Sequence, residues 1–293
     1  MSFNGLFVNP SDHTELLYSG TFNDSGEWNN GILKSKESEY QVINGSPFFG
    51  SEVEGDQFRD EDIASWTTGG HFKRVWRESG SHSDFYNEVH HSLTDEIAAL
   101  NLPILEIACG PNMGLIPHVV AKNKDVKCLA TDACPHIITH WQSFLLENPI
   151  NADIRFASFN AANMPIRSNS VDVITSNIGF SSLRYAGNDC ERGLSEAFRV
   201  LKNDGYIFAL ENEYDDMNLV DEVFKLWGKQ NWYRNNKLRW VERFENAGFE
   251  IVYEKLHSNT KLRANDNDFT EAAAKFGIEI YMTNSVYKLK KLK

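Results

Sequence analysis

Cysteine is scarce in this chain: its 293 residues include four cysteines, and no two of them form a CxxC pair. A chain of this length can bury a core of ordinary size, so we expect neither a disulfide framework nor a cysteine zinc site. No apolar run approaches the roughly 20 residues of a membrane helix, and the first residues show no basic segment followed by an apolar one. These absences predict a cytoplasmic protein with reduced thiols and no membrane partner.

Positive charge is also in short supply. Lys and Arg number 29 against 41 Asp and Glu, which gives a net charge of −12 at pH 7. Proteins that bind nucleic acid usually gain affinity from clustered Lys and Arg, so we do not expect a nucleic-acid partner. The final KLKKLK is locally basic, but a solvated strand end accounts for it.

What the sequence does contain is an alternation of apolar strands and helical patterns from residue 84 onward. The five strand-like segments are PILEIA, VKCLATD, DIRFASFN, VDVITSN and YIFALE, with helical segments before the first strand and after the first, second and fourth. Ser83 or Asp84 can cap the first helix. The helix CERGLSEAFRVLK is expected to stop at residues 203–205, and FEIVYEKL and IEIYMTNSVYKLK are late strands. This order predicts an α/β, Rossmann-like, mostly parallel sheet over residues 84–293. Residues 1–55 are predicted to be a small β-rich module, and residues 56–83 a linker or lid.

The turn after the first strand, ACGPNMG, is the expected ligand cradle. Ligands of such sheets bind beyond the carboxyl ends of the strands, where glycines admit a close approach and the next helix offers free N–H groups. The second strand ends in Asp132, 22 residues after Gly110, where a carboxylate can accept from both hydroxyls of a ribose. A nicotinamide-binding fold would show nearly the same two features.

Two details favour a different nucleotide. The GxGxxG pattern is missing, because position 108 is alanine and Gly110 is followed by Gly114. An acid, Glu106, lies inside the end of the first strand, where it suits an amino group and serves no pyrophosphate. With LEIACGPNMG, TDAC, SFNAANMPIRSNSVDVITSN and EAFRVLKNDGYIFALE in this order, residues 84–255 resemble the class I S-adenosylmethionine-dependent methyltransferases, and within them the UbiE-like, type 11 group.

The resemblance implies S-adenosylmethionine as cofactor, S-adenosylhomocysteine as its product, and a set of binding residues. Glu106 would organise the turn and face the methionine amino group, Asp132 would hold the ribose, and Asn160 would contact the adenine edge. The implied cofactor-binding residues are Glu106, Ala108, Cys109, Gly110, Pro111, Asp132, Ala133, Asn160, Ala161, and Ser176 or Asn177 under the sulfonium. Ala108 replaces a usual glycine, Asn160 replaces a common aspartate, and position 112 lacks a glycine, which bears on affinity more than on identity.

Structural roles compete with these functional ones. Glu106 and Asp132 could cap helices, and Cys109 is better read as a small packing residue than as a nucleophile. His136 and His140 have the i, i+4 spacing of a metal-binding pair, but the sequence offers no third ligand. We therefore expect no metal.

The first fifty residues are similar to the zinc-ribbon module of Trm112-like proteins, which also precedes some methyltransferases. The similarity rests on the tail Tyr40, Val42, Gly45 and Pro47. The positions of the family's zinc ligands are taken by Asn9, Asp12, Ser35 and Ser38. Asn and Ser are poor zinc ligands, so this resemblance predicts a metal-free module held by hydrogen bonds and packing. An unrelated Asn/Ser-rich β-module is the alternative.

Together these features predict a methyltransferase with an unidentified, small-molecule acceptor, acting as a monomer or homodimer. Two alternatives stay open: an RNA methyltransferase of the rRNA type, suggested by the N-terminal module, and a catalytically silent protein that binds the cofactor as a scaffold. No general base can be named. Aromatic residues near the cradle are the acceptor-site candidates, and each could instead belong to the core: Phe72, Trp76, Tyr86 and Phe180.

Overall fold

The computed structural model describes residues 5–50, 60–68, 70–79, 86–183, 190–229, 231 and 238–292, so the expected helix caps at 83 and 84 lie outside the described residues. The strands are β1 (Leu17–Phe22), β2 (Trp28–Lys34), β3 (Glu39–Ile43), β4 (Ser46–Phe48), β5 (Ile104–Ile107), β6 (Cys128–Asp132), β7 (Ile154–Ser158), β8 (Val171–Asn177), β9 (Leu201–Tyr214), β10 (Phe249–Lys261) and β11 (Tyr281–Lys291). The helices are α1 (Asp60–Thr68), α2 (His71–Glu78), α3 (Glu88–Leu100), α4 (Ile116–Lys122), α5 (Pro135–Glu147), α6 (Gly179–Ser182), α7 (Cys190–Val200), α8 (Met217–Trp227), α9 (Trp240–Asn246) and α10 (Asp268–Lys275).

The described strands form one 11-stranded sheet in the order β1-β2-β3-β4-β7-β6-β5-β8-β9-β11-β10. The segment β7-β6-β5-β8-β9 is parallel throughout, and β11 pairs antiparallel with both β9 and β10. The chain order therefore reverses between β5 and β8, which creates the crevice where ligands of open α/β sheets bind. The prediction of a Rossmann-like sheet with a late antiparallel strand is confirmed.

The central strands are buried on both faces because helices cover each side. Ile104 and Ala130 belong to the core formed with α3, α4 and α5, whereas Leu105, Ile107 and Leu129 belong to the core formed with α7 and α9. Successive strand residues point to opposite faces, so a continuous apolar run supplies both cores. This packing holds the carboxyl ends of β5, β6 and β8 side by side.

The N-terminal strands extend the same sheet. Strand β4 runs parallel to β7, with Phe48 opposite Ser158. Gln142 of α5 donates its side-chain N–H to Ser46 Oγ at 2.5 Å, and the Arg167 N–H donates to the carbonyl of Leu6 at 2.9 Å. The described N-terminal residues are thus hydrogen-bonded to β7, to α5 and to the segment between β7 and β8.

Three of the four positions compared with zinc ligands meet through hydrogen bonds. Asn9 Nδ2 donates to Ser35 Oγ at 3.2 Å, and the Ser38 N–H donates to the same oxygen at 3.1 Å. Tyr40 completes the group by donating its hydroxyl to Asn9 Oδ1 at 3.1 Å, whereas Asp12 accepts from the neighbouring Thr14. The zinc-ribbon resemblance itself stays a prediction.

Two elements differ from the sequence-based expectation. Helix α7 ends at Val200, and residues 203–205 lie inside β9 rather than in a turn. Gly205 allows this: a Cβ there would lie 2.8 Å from the backbone oxygen of Asp172, at an irregularity in the β8–β9 pairing. Helix α10 was not expected, although Asn267 and Thr270 form a capping box that signals its start.

Candidate functional site

The candidate site lies at the edge where the parallel strands end, which we call the carboxyl edge. Glu106 lies one residue before the end of β5, Asp132 ends β6 and Asn177 ends β8. The register places these strands side by side, because β5 pairs with both β6 and β8. The fold therefore brings the sequence-predicted residues to one crevice.

The loop after β5 is bent by backbone conformations of the left-handed region. Ala108, Gly110, Met113 and Gly114 have φ values of 50°, 55°, 54° and 57°. Alanine at 108 thus adopts a conformation that glycine favours, which explains why the resemblance places a glycine there. Pro111 occupies the first turn of a short 3-10 helix at residues 110–112.

The backbone of this loop is largely committed to internal hydrogen bonds. The Cys109 N–H donates to the carbonyl of Thr131 at 2.8 Å, and the Gly110 N–H donates to Asp132 Oδ2 at 2.9 Å. Trp141 donates its indole N–H to the Gly110 carbonyl at 3.0 Å. The N–H groups of Cys109 and Gly110 are thus used within the fold, and the contact of this backbone with the methionine moiety stays a prediction. A Cβ built on Gly110 would meet nothing within 4 Å, so open space borders the loop there.

Glu106 is a fully buried carboxyl, and the hydrogen bonds it accepts converge on one of its two oxygens. Oε2 accepts from the Leu115 N–H at 3.1 Å and from Thr175 Oγ1 at 2.6 Å. Oε1 has no hydrogen bond of good geometry among the described residues, although the Asn177 N–H is near enough to lower the pKa of the carboxyl. Burial raises the pKa of Glu106 to about 8, against the opposing effect of the bond from Thr175. Gly114 faces this carboxyl so closely that a Cβ there would overlap it.

Asp132 links the end of β6 to the loop after β5 through a hydrogen bond. Oδ2 accepts from Gly110 as described, and Oδ1 accepts from the Cys134 N–H at 2.9 Å. Burial raises the pKa of Asp132, while these backbone N–H groups oppose the shift. The Ala133 N–H also lowers the pKa of Asp132, and because a carboxylate accepts up to about four hydrogen bonds, capacity for a further donor remains.

The loop after β7 approaches Asp132 from the neighbouring strand. The Phe159 N–H donates to the backbone oxygen of Asp132 at 3.0 Å, which places Asn160 and Ala161 beside Asp132 and Ala133. Asn160 Oδ1 accepts from the Ala162 N–H at 2.8 Å and so shapes its own loop. The adenine contact that the resemblance implies for Asn160 and Ala161 stays a prediction.

At the end of β8 the structure separates the two sulfonium candidates. Ser176 is buried, and its hydroxyl donates to Glu211 Oε1 at 2.5 Å. Asn177, one residue on, presents Oδ1 as a buried atom that has no partner in the described parts of the chain. Asn177 is thus the better candidate to face a ligand.

Glu211 is a buried carboxyl that the sequence reasoning missed. It lies 35 residues after Ser176 and also accepts from the hydroxyl and N–H of Ser181, at 2.6 and 2.9 Å. Its role is to hold the start of α6 against β9. An acid at the end of the fifth apolar strand was the available signal, since it repeats the position of Glu106.

The four aromatic candidates for the acceptor site differ in burial and packing. Phe72 is buried and stacks on Trp141 at a centroid distance of 4.0 Å, and Phe180 is fully buried beside Phe244. Neither ring faces a ligand in this arrangement, because the apolar spacing that suggested them also builds core. Trp76 and Tyr86 are half-buried, and Tyr86 packs against His118 at 4.1 Å.

The cysteine and histidine side chains considered in the sequence analysis are buried or half-buried. Burial raises the pKa of Cys109 well above its ordinary value, which suits a packing residue. His136 and His140 are half-buried on α5. Within the described ranges no group of three or more His, Cys, Asp or Glu side chains is placed to hold a metal ion. None of the helices there is both long and apolar enough to cross a bilayer.

Three buried polar atoms at the carboxyl edge find no hydrogen-bond partner among the described residues. They are Glu106 Oε1 on β5, Ser158 Oγ on β7 and Asn177 Oδ1 on β8. Buried polar atoms are nearly always paired, so a cluster of unpaired ones marks a place built for a polar ligand. Carboxylate, hydroxyl and amide groups fit the ammonium, ribose and adenine groups of S-adenosylmethionine.

Known proteins resemble the chain in the same region. Residues 105–209 match the family model described as a methyltransferase domain. The Rhizobium meliloti ubiquinone/menaquinone biosynthesis C-methyltransferase UbiE is 30% identical over 181 residues, which cover 59% of this chain and 65% of that protein. Its Sinorhizobium fredii counterpart is 25% identical over 179 residues, with the same coverage. The chain thus spans just under two thirds of the length of these relatives.

Solved structures show the same fold. The [4+2]-cyclase SpnF superimposes with a TM-score of 0.51 at 14% identity and covers 84% of this chain and 98% of its own. A proposed sarcosine dimethylglycine methyltransferase of Galdieria sulphuraria gives the same score and identity, with 78% and 98% covered. At this identity the likeness concerns the fold alone. The family match at residues 105–209 and the shared fold therefore agree on a methyltransferase domain of Rossmann-like architecture around the crevice described above.

Proposed function

We propose that this chain transfers a methyl group from S-adenosylmethionine to a small-molecule acceptor. The observation that carries the proposal is the set of unpartnered polar atoms at the carboxyl edge, on the ends of β7, β5 and β8, beside a glycine loop with open space. Each unpaired buried group costs about 1–3 kcal/mol, so these atoms support a bound polar ligand. A silent scaffold that binds the cofactor would keep them too, and it differs from the proposed enzyme in showing no methyl transfer.

The proposed roles follow from the contacts of each residue. Asp132 would accept from the ribose hydroxyls with the acceptor capacity that its backbone bonds leave. Glu106 would face the methionine ammonium through Oε1, and Asn177 would lie nearest the sulfonium. The adenine would lie against Ala133 and the loop at 160–161.

When bound, S-adenosylmethionine supplies an activated methyl group on a positively charged sulfur, so the chain's own task is alignment and the exclusion of water. We assign no general base. Helix α2 supports this task, because its His71 Nε2 lies 3.0 Å from Asn112 Oδ1 and its Phe72 packs on the tryptophan that binds the loop. We propose on this basis that α1 and α2, the described helices of the predicted linker or lid (56–83), cover the loop after β5; the rest of that prediction, and the boundaries of the N-terminal module (1–55) and the methyltransferase domain (84–293), fall partly outside the described residues.

The charge of the chain supports an acceptor other than nucleic acid. Beyond the end of β9 lies a cavity of about 430 Å³, and its charged lining consists of Glu213, Asp215, Asp216 and Arg239. Three carboxylates against one guanidinium would repel the phosphates of an RNA. The relatives are named for C-methylation in ubiquinone and menaquinone biosynthesis. Quinone precursors are therefore the first acceptors to test.

Calorimetric titration of S-adenosylmethionine and S-adenosylhomocysteine, with NAD as comparison, tests the proposal. We expect micromolar binding of both sulfur nucleosides and a loss of about 1–3 kcal/mol in Asp132→Ala, because buried ligand hydroxyls lose their acceptor. Asp125→Ala, an exposed aspartate just before the same strand, is the matched control and should bind like wild type. Preferential binding of NAD would indicate a dehydrogenase, and no binding of either sulfur nucleoside would exclude the methyltransferase.

A further inference from the structure

The N-terminal strands end at the carboxyl edge, beside the candidate cofactor crevice. The Phe49 N–H donates to the backbone oxygen of Ser158 at 2.7 Å, which continues the pairing of β4 with β7. The next residue, Gly50, lies so that a Cβ on it would be 3.6 Å from the backbone oxygen of Ala133 and 4.0 Å from Ser158 Oγ. Gly50, Ala133 and Ser158 therefore border one small region.

Ser158 is the unusual member of this region. Its side chain is completely buried, and its hydroxyl has no hydrogen-bond partner in the part of the chain that the structure describes. Ser176, the corresponding serine near the end of β8, has a hydroxyl that bonds Glu211 and accepts from two backbone N–H groups. A buried hydroxyl without a partner is unfavourable, so the position is explained by a partner that arrives with a ligand.

The location of Ser158 identifies which part of the ligand is near. Ser158 lies directly opposite Asp132 in the parallel β6–β7 pairing. Asp132 is the proposed ribose acid, and the adenine side begins at Ala133. Glu106 and Asn177, by contrast, belong to the strands on the other side of Asp132. The hydroxyl is thus on the nucleoside side of the crevice, away from the proposed ammonium site.

We propose that Ser158 is a further cofactor-binding residue whose hydroxyl bonds the nucleoside half of S-adenosylmethionine, in a subsite bounded by Ala133 and by Gly50 of the N-terminal segment. This inference rests on the proposed function. It also gives the first fifty residues a role in the site, since strand β4 carries Gly50 to its position.

Calorimetric titrations of wild type, Ser158→Ala and a control variant with S-adenosylhomocysteine and with adenosine test this assignment. Loss of one neutral hydrogen bond should weaken both ligands about three- to tenfold in Ser158→Ala. The melting temperature of the ligand-free variant should equal or exceed that of wild type, because an unpaired hydroxyl has been removed. Ser170→Ala is the control: Ser170 is also buried, but it lies just before β8 at the opposite edge and donates to the carbonyl of Arg167.

Each other outcome overturns the assignment. Unchanged affinity in Ser158→Ala excludes a contact, and a lowered melting temperature without ligand indicates a structural role. Weakening of S-adenosylhomocysteine but not of adenosine would place the contact on the amino-acid half. If wild type binds neither ligand, the proposed function fails as well, and this result is distinct from binding that the variant does not alter.

Discussion

Replacing Glu106 by glutamine should separate two properties that one buried carboxyl combines, the stability of the ligand-free protein and the binding of a cationic cofactor. Burial raises the pKa of this carboxyl from 4.5 to about 8. Because the folded-state pKa exceeds the unfolded one, the stabilising contribution is complete below about pH 4.5 and is lost as the pH rises through about 8. The buried carboxyl therefore lowers the free energy of unfolding of the ligand-free protein at neutral pH.

The size of this effect follows from the two pKa values. At pH 7 the unfolded chain has released the proton while the folded protein still holds it, and the roughly 2.5 pH units between 4.5 and 7 correspond to about 3 kcal/mol. A glutamine oxygen can still accept from Leu115 and Thr175. We therefore expect Glu106→Gln to raise the free energy of unfolding by about 2–3 kcal/mol at pH 7 and to change it little at pH 4.5.

Urea denaturation at the two pH values measures this difference, with exposed Glu250→Gln as control. Binding should move in the opposite direction, because the methionine ammonium loses its ionised partner. Wild type at pH 7 should release protons on binding S-adenosylmethionine, because the raised pKa keeps Glu106 mainly protonated beforehand. Titrations in buffers of different ionisation enthalpy count these protons, and Glu106→Gln should release none.

Two results would refute this reasoning. A Glu106→Gln protein less stable than wild type at pH 7 would mean that the carboxyl is ionised in the ligand-free fold. Binding of S-adenosylmethionine by wild type without proton release would mean that Glu106 does not face the ammonium group.

Two further predictions concern the loop and the histidines. Gly114→Ala should lower the free energy of unfolding by about 3 kcal/mol or more, because its Cβ would overlap a buried carboxyl at a φ of 57°. Gly110→Ala should lower it by only about 1–2 kcal/mol and should mainly weaken cofactor binding. Equal losses of stability in the two variants would contradict the geometry. His90 and His118 are buried with ring centroids 4.8 Å apart, and burial lowers the pKa of His90 to about 2 and that of His118 to about 4. Their folded-state pKa values lie below the unfolded 6.5, so stability is complete above about pH 6.5 and should fall by about 2 kcal/mol for each histidine between pH 7 and pH 5. His118→Asn should remove about half of that pH dependence and exposed His13→Asn none, and an unchanged pH dependence in His118→Asn would exclude the cluster as its source.

Local pattern alone determined the main outline of this protein. The alternation of apolar strands with amphipathic helices indicated a parallel sheet, and burial of β5 and β6 on both faces is the physical reason that their sequences are continuously apolar. The positions of Glu106 and Asp132 at strand ends were equally readable, because parallel strands all end at the same edge. The methyltransferase resemblance rested on these short, ordered segments.

Other features depend on contacts between distant residues, which a local pattern does not encode. The hydroxyl of Ser176 was a candidate ligand contact until the fold placed Glu211 against it. Phe72 and Phe180 looked like ligand-facing aromatics, but packing against Trp141 and Phe244 puts both in the core. An aromatic ring is equally suited to either role, so only its neighbours decide between them.

The same holds for the N-terminal fifty residues. Their sequence indicated a β-rich module, yet the strand that would receive them could not be read from it, because backbone hydrogen bonds between strands carry no side-chain signature. Only the tertiary structure pairs β4 with β7 and brings Gly50 beside Ser158 and Ala133. The chain itself thus determined which segments form strands and which residue types line their ends, and the long-range pairing of backbones decided which of those residues share a site.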